Sequence, residues 1–277
     1  MGDTDVLTLR SGRALHYGKN GSGPPLILLH GSPGSGRAWS RVIKNLPADL
    51  RILTPDLPAY GESDPLAQRT PQRTAAVAAA IAELIEDCAE PVWLCGHSYG
   101  GNVALHAALF CRERIKGLVL IEPVVMRALD LAGQSAARND AEAFFTSYLV
   151  RAELAEPNAI GLMIDFWSGQ GAYATLGAKQ KYFLNEAAAK NAQDVRASFA
   201  ESITTDELRS FDRPVSISFG DASPPLAGLI ARALAGLLPR ADLSVVPQAT
   251  HAMLDTHAAD VAALIARHCR SRVPADL

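Results

Sequence analysis

Short, continuous apolar runs separated by helical patterns constrain the fold of this chain more than any other feature. Runs without polar alternation suit strands that are buried on both faces of a parallel sheet. Because helical patterns lie between most of them, the sequence predicts an α/β fold with helices packed on both faces of the sheet. The runs are LILLH (26–30), RILTPD (51–56), PVWLCGH (91–97), GLVLIEP (117–123), PVSISFG (214–220) and DLSVVP (242–247).

Two segments depart from this alternation. Residues 5–19 alternate in polarity around a Ser11-Gly12 turn, which predicts an antiparallel hairpin and brings the expected sheet to eight strands. Residues 124–210 have no convincing strand and are rich in alanine and aromatic side chains. This stretch far exceeds the usual crossover length, so we expect four or so helices that form an inserted cap. The predicted domains are a core of 1–123 and 211–277 and a helical cap of 124–210.

Composition excludes several classes of protein. The net charge of −3, with scattered basic residues, argues against a nucleic-acid partner. No signal-peptide pattern and no run of about 18 apolar residues is present, so we expect no membrane span. The cysteines lack metal-ligand spacing, which predicts a reduced, cytoplasmic protein without a metal or other cofactor. They are Cys88, Cys95, Cys111 and Cys269.

A predicted strand leads directly into Gly96-His97-Ser98-Tyr99-Gly100 and then into a helical pattern. This arrangement is typical of a sharp turn that presents a serine hydroxyl above the sheet as a nucleophile. Side chains two positions either side of the serine would collide, which explains the two glycines. The Tyr99 N–H lies at a helix N-terminus, where it could donate a hydrogen bond to an oxyanion and stabilise its negative charge. The alternative is a protein that keeps this turn and has lost activity.

The turn around Ser98 resembles that of the α/β-hydrolases, and this resemblance implies a base that comes late in the chain, on the loop after the last strand. His251 fits, because it follows the DLSVVP run almost directly. His257 is the nearest alternative, but it lies in the final amphipathic helix. The sequence therefore predicts a Ser98–His251 pair.

Taken together, these residues resemble the α/β-hydrolase superfamily, in particular its cap-bearing serine esterases and lipases. The resemblance covers nearly the whole chain and is carried by HGSPGSG (30–36), DLPAYGESD (56–64), GHSYGG (96–101) and His251. It implies that the Ser32 N–H is the second oxyanion donor, beside that of Tyr99. It also implies a mainly structural role for the DLPAYGESD loop.

The position of the triad's acid departs from the usual family pattern, whereas Ser98 and His251 follow it. In most relatives it stands three residues past the glycine of the SISFG strand, where this chain has Ser223. Asp221 is only one residue past that glycine. Glu122 ends the preceding strand, where some cap-bearing relatives carry their acid, and a buried carboxylate there needs a partner. We therefore predict Glu122, with Asp221 as the alternative acid and an ion pair to Arg127 as the alternative role of Glu122.

The nucleophile narrows the chemistry, because the dehalogenases and epoxide hydrolases of this superfamily carry aspartate at the position of Ser98. The resemblance therefore implies an acyl-enzyme mechanism on a small apolar ester, lactone, thioester or C–C bond. Open alternatives are acyl transfer, perhydrolysis or cofactor-free oxygenation at the same site, and a ligand-binding receptor with a slow triad. The expected partner is a small acyl substrate, and the oligomeric state stays open, a homodimer included. Four cap aromatics are candidates to line the pocket: Phe144, Phe145, Phe166 and Trp167.

Overall fold

The computed structural model describes residues 3–68, 70 and 72–270. This part of the chain contains one eight-stranded sheet with the order β1-β2-β4-β3-β5-β6-β7-β8. β1 and β2 form an antiparallel hairpin, β2 pairs antiparallel with β4, and the remaining neighbours are parallel. The predicted α/β fold with a mostly parallel sheet is confirmed. The strands are β1 (Asp3–Thr8), β2 (Ala14–Asn20), β3 (Pro25–Leu29), β4 (Arg51–Pro55), β5 (Val92–His97), β6 (Ile115–Ile121), β7 (Val215–Gly220) and β8 (Ala241–Val246).

Helices cover both faces of the sheet, with two 3-10 turns at Gly36–Trp39 and Arg112–Arg114. Side chains of β3 illustrate the two-sided burial, since Ile27 and Leu29 join one apolar cluster while Leu26 and Leu28 join another. The helices are α1 (Ser40–Ile43), α2 (Arg73–Asp87), α3 (Tyr99–Phe110), α4 (Arg127–Leu131), α5 (Ser135–Glu153), α6 (Gly161–Ser168), α7 (Ala172–Thr175), α8 (Ala178–Phe199), α9 (Thr205–Arg209), α10 (Pro225–Leu237), α11 (Met253–Thr256) and α12 (Ala258–Arg270).

Residues 124–210, all of which the structure describes, form six helices and no strand. We predicted four or so; the difference arises because α4, α7 and α9 span only four or five residues each, too short for a periodic signal. The long helices α5 and α8 pack against each other. Helix α8 also contacts α2 and α3, which lie outside residues 124–210. The division into core and cap stays a prediction.

The sheet brings the candidate residues to one edge. The parallel strands β3, β5, β6, β7 and β8 all end there, because parallel neighbours share their carboxyl ends. Ser32, Ser98, Glu122 and His251 all follow such strand ends. This is the edge at which open α/β sheets bind ligands.

His106, buried on α3, makes the fold sensitive to acid. Burial lowers its pKa to about 4, although the nearby Glu207 carboxylate acts in the opposite direction. In the unfolded chain, His106 takes up a proton as the pH falls below about 6.5. In the folded protein it stays neutral until about pH 4. The neutral side chain therefore contributes stability that is complete above pH 6.5 and is lost as the pH falls towards 4.

Replacing this histidine by leucine removes the proton-uptake site. We expect the free energy of unfolding of His106→Leu minus that of the original chain to be larger, meaning a relatively more stable variant, at pH 5 than at pH 8 by about 2 kcal/mol. Urea unfolding curves at the two pH values measure this. An equal difference at both pH values would contradict the assignment.

Candidate active site

Ser98 occupies a strained turn between β5 and α3. Its backbone has φ 55° and ψ −123°, a left-handed conformation that is uncommon for a residue with a side chain. The turn is held by its N–H, which donates to the Ile121 carbonyl at 3.0 Å. A Cβ on Gly96 would lie 2.2 Å from the Gly100 carbonyl oxygen, and one on Gly100 would lie 2.4 Å from that of His30. Both positions thus require glycine, as predicted.

His251 lies between Ser98 and Glu122. Its Nε2 is 2.9 Å from the Ser98 Oγ, and its Nδ1 is 2.5 Å from Glu122 Oε2. The carboxylate accepts from the Nδ1–H, so Nε2 is left to accept from the serine hydroxyl. The structure therefore brings these three predicted residues into one hydrogen-bonded chain.

Glu122 is almost fully buried, and its carboxylate is held by several donors. Besides His251, the Gly220 N–H donates to Oε1 at 2.7 Å and the Ser223 hydroxyl donates to it at 2.5 Å. Burial alone would raise the pKa of Glu122, but these hydrogen bonds outweigh it and lower the pKa below its usual 4.5. Ser223, at the position where most relatives carry the acid, thus supports the carboxylate from the neighbouring strand.

The two alternatives for the acid have other partners. Asp221 is exposed, and its Oδ1 accepts from the Gln248 N–H at 2.5 Å. Arg127 pairs with Asp130 at 3.4 Å and donates to the Ile203 carbonyl. The structure therefore brings Glu122 to the histidine and keeps Asp221 away from it.

Two aromatic rings enclose the imidazole of His251. Trp167 of α6 stacks on one side at 4.6 Å between ring centroids and 28° between planes. The His97 ring lies at 4.7 Å, and its Nε2–H donates to the His251 carbonyl at 3.0 Å. Burial and the neighbouring His251 lower the pKa of His97 to about 3, so it stays neutral. No local sequence pattern indicates this stacking, because Trp167 and His251 are distant in the chain.

Ser32 and Tyr99 line the same cavity as Ser98. Neither backbone N–H donates a hydrogen bond to another described residue, so both are available to a ligand. The turn that carries Ser32 is held from below by the DLPAYGESD loop. There Asp56 accepts from the Gly36 N–H at 2.7 Å, and the Leu57 N–H donates to His30 Nε2 at 2.9 Å.

The cavity above Ser98 is small and mainly apolar. Its volume is about 100 Å³. Among the four cap aromatics singled out in the sequence, Phe145 and Trp167 line it, whereas Phe144 and Phe166 do not. Its other apolar walls are Pro33, Val124, Met126, Ile160, Met163, Ile164, Val195 and Phe199, and its polar lining includes Ser168, Asn191, Asp194 and Ser198.

Within the described ranges, no group of three or more histidine, cysteine, aspartate or glutamate side chains could hold a metal ion. Each of the four cysteines is buried and carries a free thiol. Of the helices described between residues 3 and 270, none is long and apolar enough to cross a membrane.

Comparison with known proteins identifies the family and a range of activities among relatives. The sequence model of the alpha/beta hydrolase family matches residues 26–264. The chain is 38% identical over 108 residues to a pimeloyl-[acyl-carrier protein] methyl ester esterase of Vibrio parahaemolyticus, covering 39% of this chain and 40% of that protein. It is 33% identical over 115 residues to a soluble epoxide hydrolase of Corynebacterium sp., covering 41% and 40%. The chain thus spans about two fifths of the length of these relatives.

A solved structure matches over a greater length. The esterase from Exiguobacterium antarcticum superposes with a TM-score of 0.76 over 97% of this chain and 100% of that chain, at 17% sequence identity. This similarity concerns the fold alone.

Proposed function

We propose that this chain, which belongs to the α/β hydrolase family, is a serine hydrolase that cleaves small apolar acyl compounds, esters above all. One observation carries the proposal: the hydrogen-bonded chain from Ser98 through His251 to Glu122. A serine, a histidine and a buried carboxylate in this order are the parts that acyl transfer requires.

Acylation follows from this geometry. Nε2 of His251 takes the proton of Ser98 while Oγ forms a bond to the carbonyl carbon of the substrate. The negative charge that develops on the carbonyl oxygen is held by the N–H groups of Ser32 and Tyr99. Glu122 stabilises the imidazolium through Nδ1. His251 then returns the proton to the leaving oxygen as its bond to the acyl carbon breaks.

Deacylation repeats the same steps with water. Nε2 takes a proton from the water molecule as its oxygen attacks the acyl carbon, and the acid product leaves when Oγ recovers that proton. The ring of Trp167, stacked against His251, limits the movement of the imidazole during both steps.

The acyl portion of the substrate is proposed to be short. The apolar cavity is contributed mostly by residues 124–199, which favours a cap role for this segment, and its volume of about 100 Å³ favours a short acyl group over a long one. A methyl ester esterase among the relatives supports an ester substrate. The epoxide hydrolase relative has a different named activity, and a serine nucleophile argues against that activity here, because alkyl transfer in this superfamily uses a carboxylate.

A series of p-nitrophenyl esters tests the proposal. We expect steady turnover, with kcat/KM for the acetate or butyrate at least about tenfold above that for the palmitate. The reason is that acyl methylenes beyond the cavity either stay exposed to water or clash with the residues that line it. Stopped-flow and steady-state absorbance of p-nitrophenolate follow the release of the leaving group. A single stoichiometric burst followed by arrest would indicate a receptor and contradict hydrolysis.

A further inference from the structure

Helix α8 reaches across the cavity onto the turn that carries Ser32. The amide nitrogen of Asn191 donates to the Ser32 carbonyl at 2.8 Å and to the Ser32 Oγ at 3.0 Å. The Ser32 hydroxyl donates in turn to Asp194 Oδ2 at 2.7 Å. Asn191 and Asp194 are three residues apart, which places them on one face of α8. Both the backbone and the side chain of Ser32 are thus held by the 124–210 segment.

The two α8 residues are themselves fixed. Asp194 is 1% exposed and also accepts from Tyr60 OH at 2.6 Å and from the Arg73 Nε at 2.5 Å. These donors hold the buried carboxylate in one orientation. Tyr148 OH donates to the Asn191 Oδ1 at 2.6 Å, which turns the amide nitrogen towards Ser32.

The held turn lies against the nucleophile. A Cβ on Gly31 would be 3.1 Å from the Ser98 Cβ, so the Gly31–Ser32 peptide, which carries the Ser32 N–H, is beside the reacting serine. Anchoring the Ser32 carbonyl and hydroxyl leaves this peptide little freedom to rotate. Oxyanion stabilisation depends on donors that are fixed before the reaction, because reorienting them during it costs free energy.

We propose that Asn191 and Asp194 are positioning residues that fix the oxyanion donor at Ser32, so that the site is complete only when α8 is seated on the core. The inference rests on the proposed function, since it assigns a role to α8 in that reaction. Arg73 of α2, which lies outside the 124–210 segment, holds α8 in place through its ion pair with Asp194.

The variant Asn191→Ala tests this assignment against a matched control. We expect it to lower kcat roughly 10- to 100-fold with KM changed less than about threefold, because a displaced donor weakens transition-state binding more than ground-state binding. The control is Asn185→Ala on the same helix. Asn185 hydrogen-bonds Asn158 and Tyr173 and does not line the cavity, so its loss leaves kcat within about twofold.

Two inhibitors separate positioning from a purely structural role. A trifluoromethyl ketone forms a tetrahedral adduct with the serine and fills the oxyanion hole, whereas the planar carboxylic acid product does not. In Asn191→Ala, we expect affinity for the ketone to fall by the same factor as kcat/KM and affinity for the product to stay constant. Equal losses for both compounds, or a loss confined to KM, would overturn the assignment.

Ser32→Ala provides a second variant should the first fold poorly. It removes the Oγ contacts to α8 and keeps the backbone N–H and carbonyl, so we expect a smaller loss of kcat, about 3- to 10-fold. A wild-type kcat in Ser32→Ala would contradict the positioning role of the hydroxyl.

Hydrogen exchange by mass spectrometry makes the test independent of hydrolysis. The peptide that covers residues 30–36 is expected to exchange faster in Asn191→Ala than in the original chain or in Asn185→Ala. Unchanged exchange there would overturn the positioning role even in an active enzyme. Absence of ester turnover in the original chain, with faster exchange in the variant, would instead count against the proposed function and retain the anchor.

Discussion

Replacing Ser98 by alanine is expected to reduce kcat for a short p-nitrophenyl ester by roughly a millionfold, to the level of the assay background. The reason is that no other hydroxyl in the described part of the chain is hydrogen-bonded to Nε2 of His251. The oxyanion donors alone retain only a small residual acceleration over water. Steady-state absorbance measurements at saturating substrate determine the loss.

A second serine of the same cavity serves as the control for this substitution. Ser168 lines the cavity at the end of α6, and the ring of His251 hydrogen-bonds Ser98 and Glu122 instead. We expect Ser168→Ala to stay within a few-fold of the original activity, and both variants to keep their thermal transition within about 2 °C. Turnover by Ser98→Ala within tenfold of the original chain would rule out Ser98 as the nucleophile.

Glu122→Gln is expected to lower kcat on the order of 10³- to 10⁴-fold with little change in KM. A glutamine can present its amide N–H to Nδ1 of His251, which favours the tautomer that carries its proton on Nε2. That tautomer cannot accept the proton of Ser98. The substitution also removes the negative charge that stabilises the imidazolium. Kinetics on the same ester, with KM and kcat determined separately, measure both consequences.

Asp221→Asn is the matched control, because it makes the same chemical change on the neighbouring strand end. Asp221 is exposed, and its side chain accepts a hydrogen bond from the Gln248 N–H, which an amide oxygen can also accept. We expect kcat within about threefold of the original. A large loss in Asp221→Asn with a small one in Glu122→Gln would reverse the assignment of the acid.

Much of the fold was predictable because burial on both faces leaves a direct mark in sequence. The strands of the parallel sheet are apolar without alternation, and β3 sends Ile27 and Leu28 into different apolar clusters. The turn around Ser98 was equally readable, since the close approach of Gly96 to the Gly100 carbonyl excludes any side chain. Local geometry of this kind dictates residue type.

The remainder depends on contacts between distant parts of the chain. Nothing in the residues around Ser223 indicates that its hydroxyl supports Glu122, more than 100 residues away, rather than standing in for the acid. Asn191 and Asp194 lie in an alanine-rich helix whose pattern carries no sign of a catalytic neighbour. Their importance follows only from the packing of α8 over Ser32, which sequence periodicity does not specify.

Fluorophosphonate labelling of the folded chain, followed by peptide mass mapping, tests the central claim most directly. The reagent reacts with a serine only when a base activates it and an oxyanion site stabilises the adduct. We expect one equivalent of label on the peptide that contains Ser98, and none after unfolding the chain first or in His251→Ala. Active, folded protein that remains unlabelled at Ser98, or is labelled at another serine, would contradict the account.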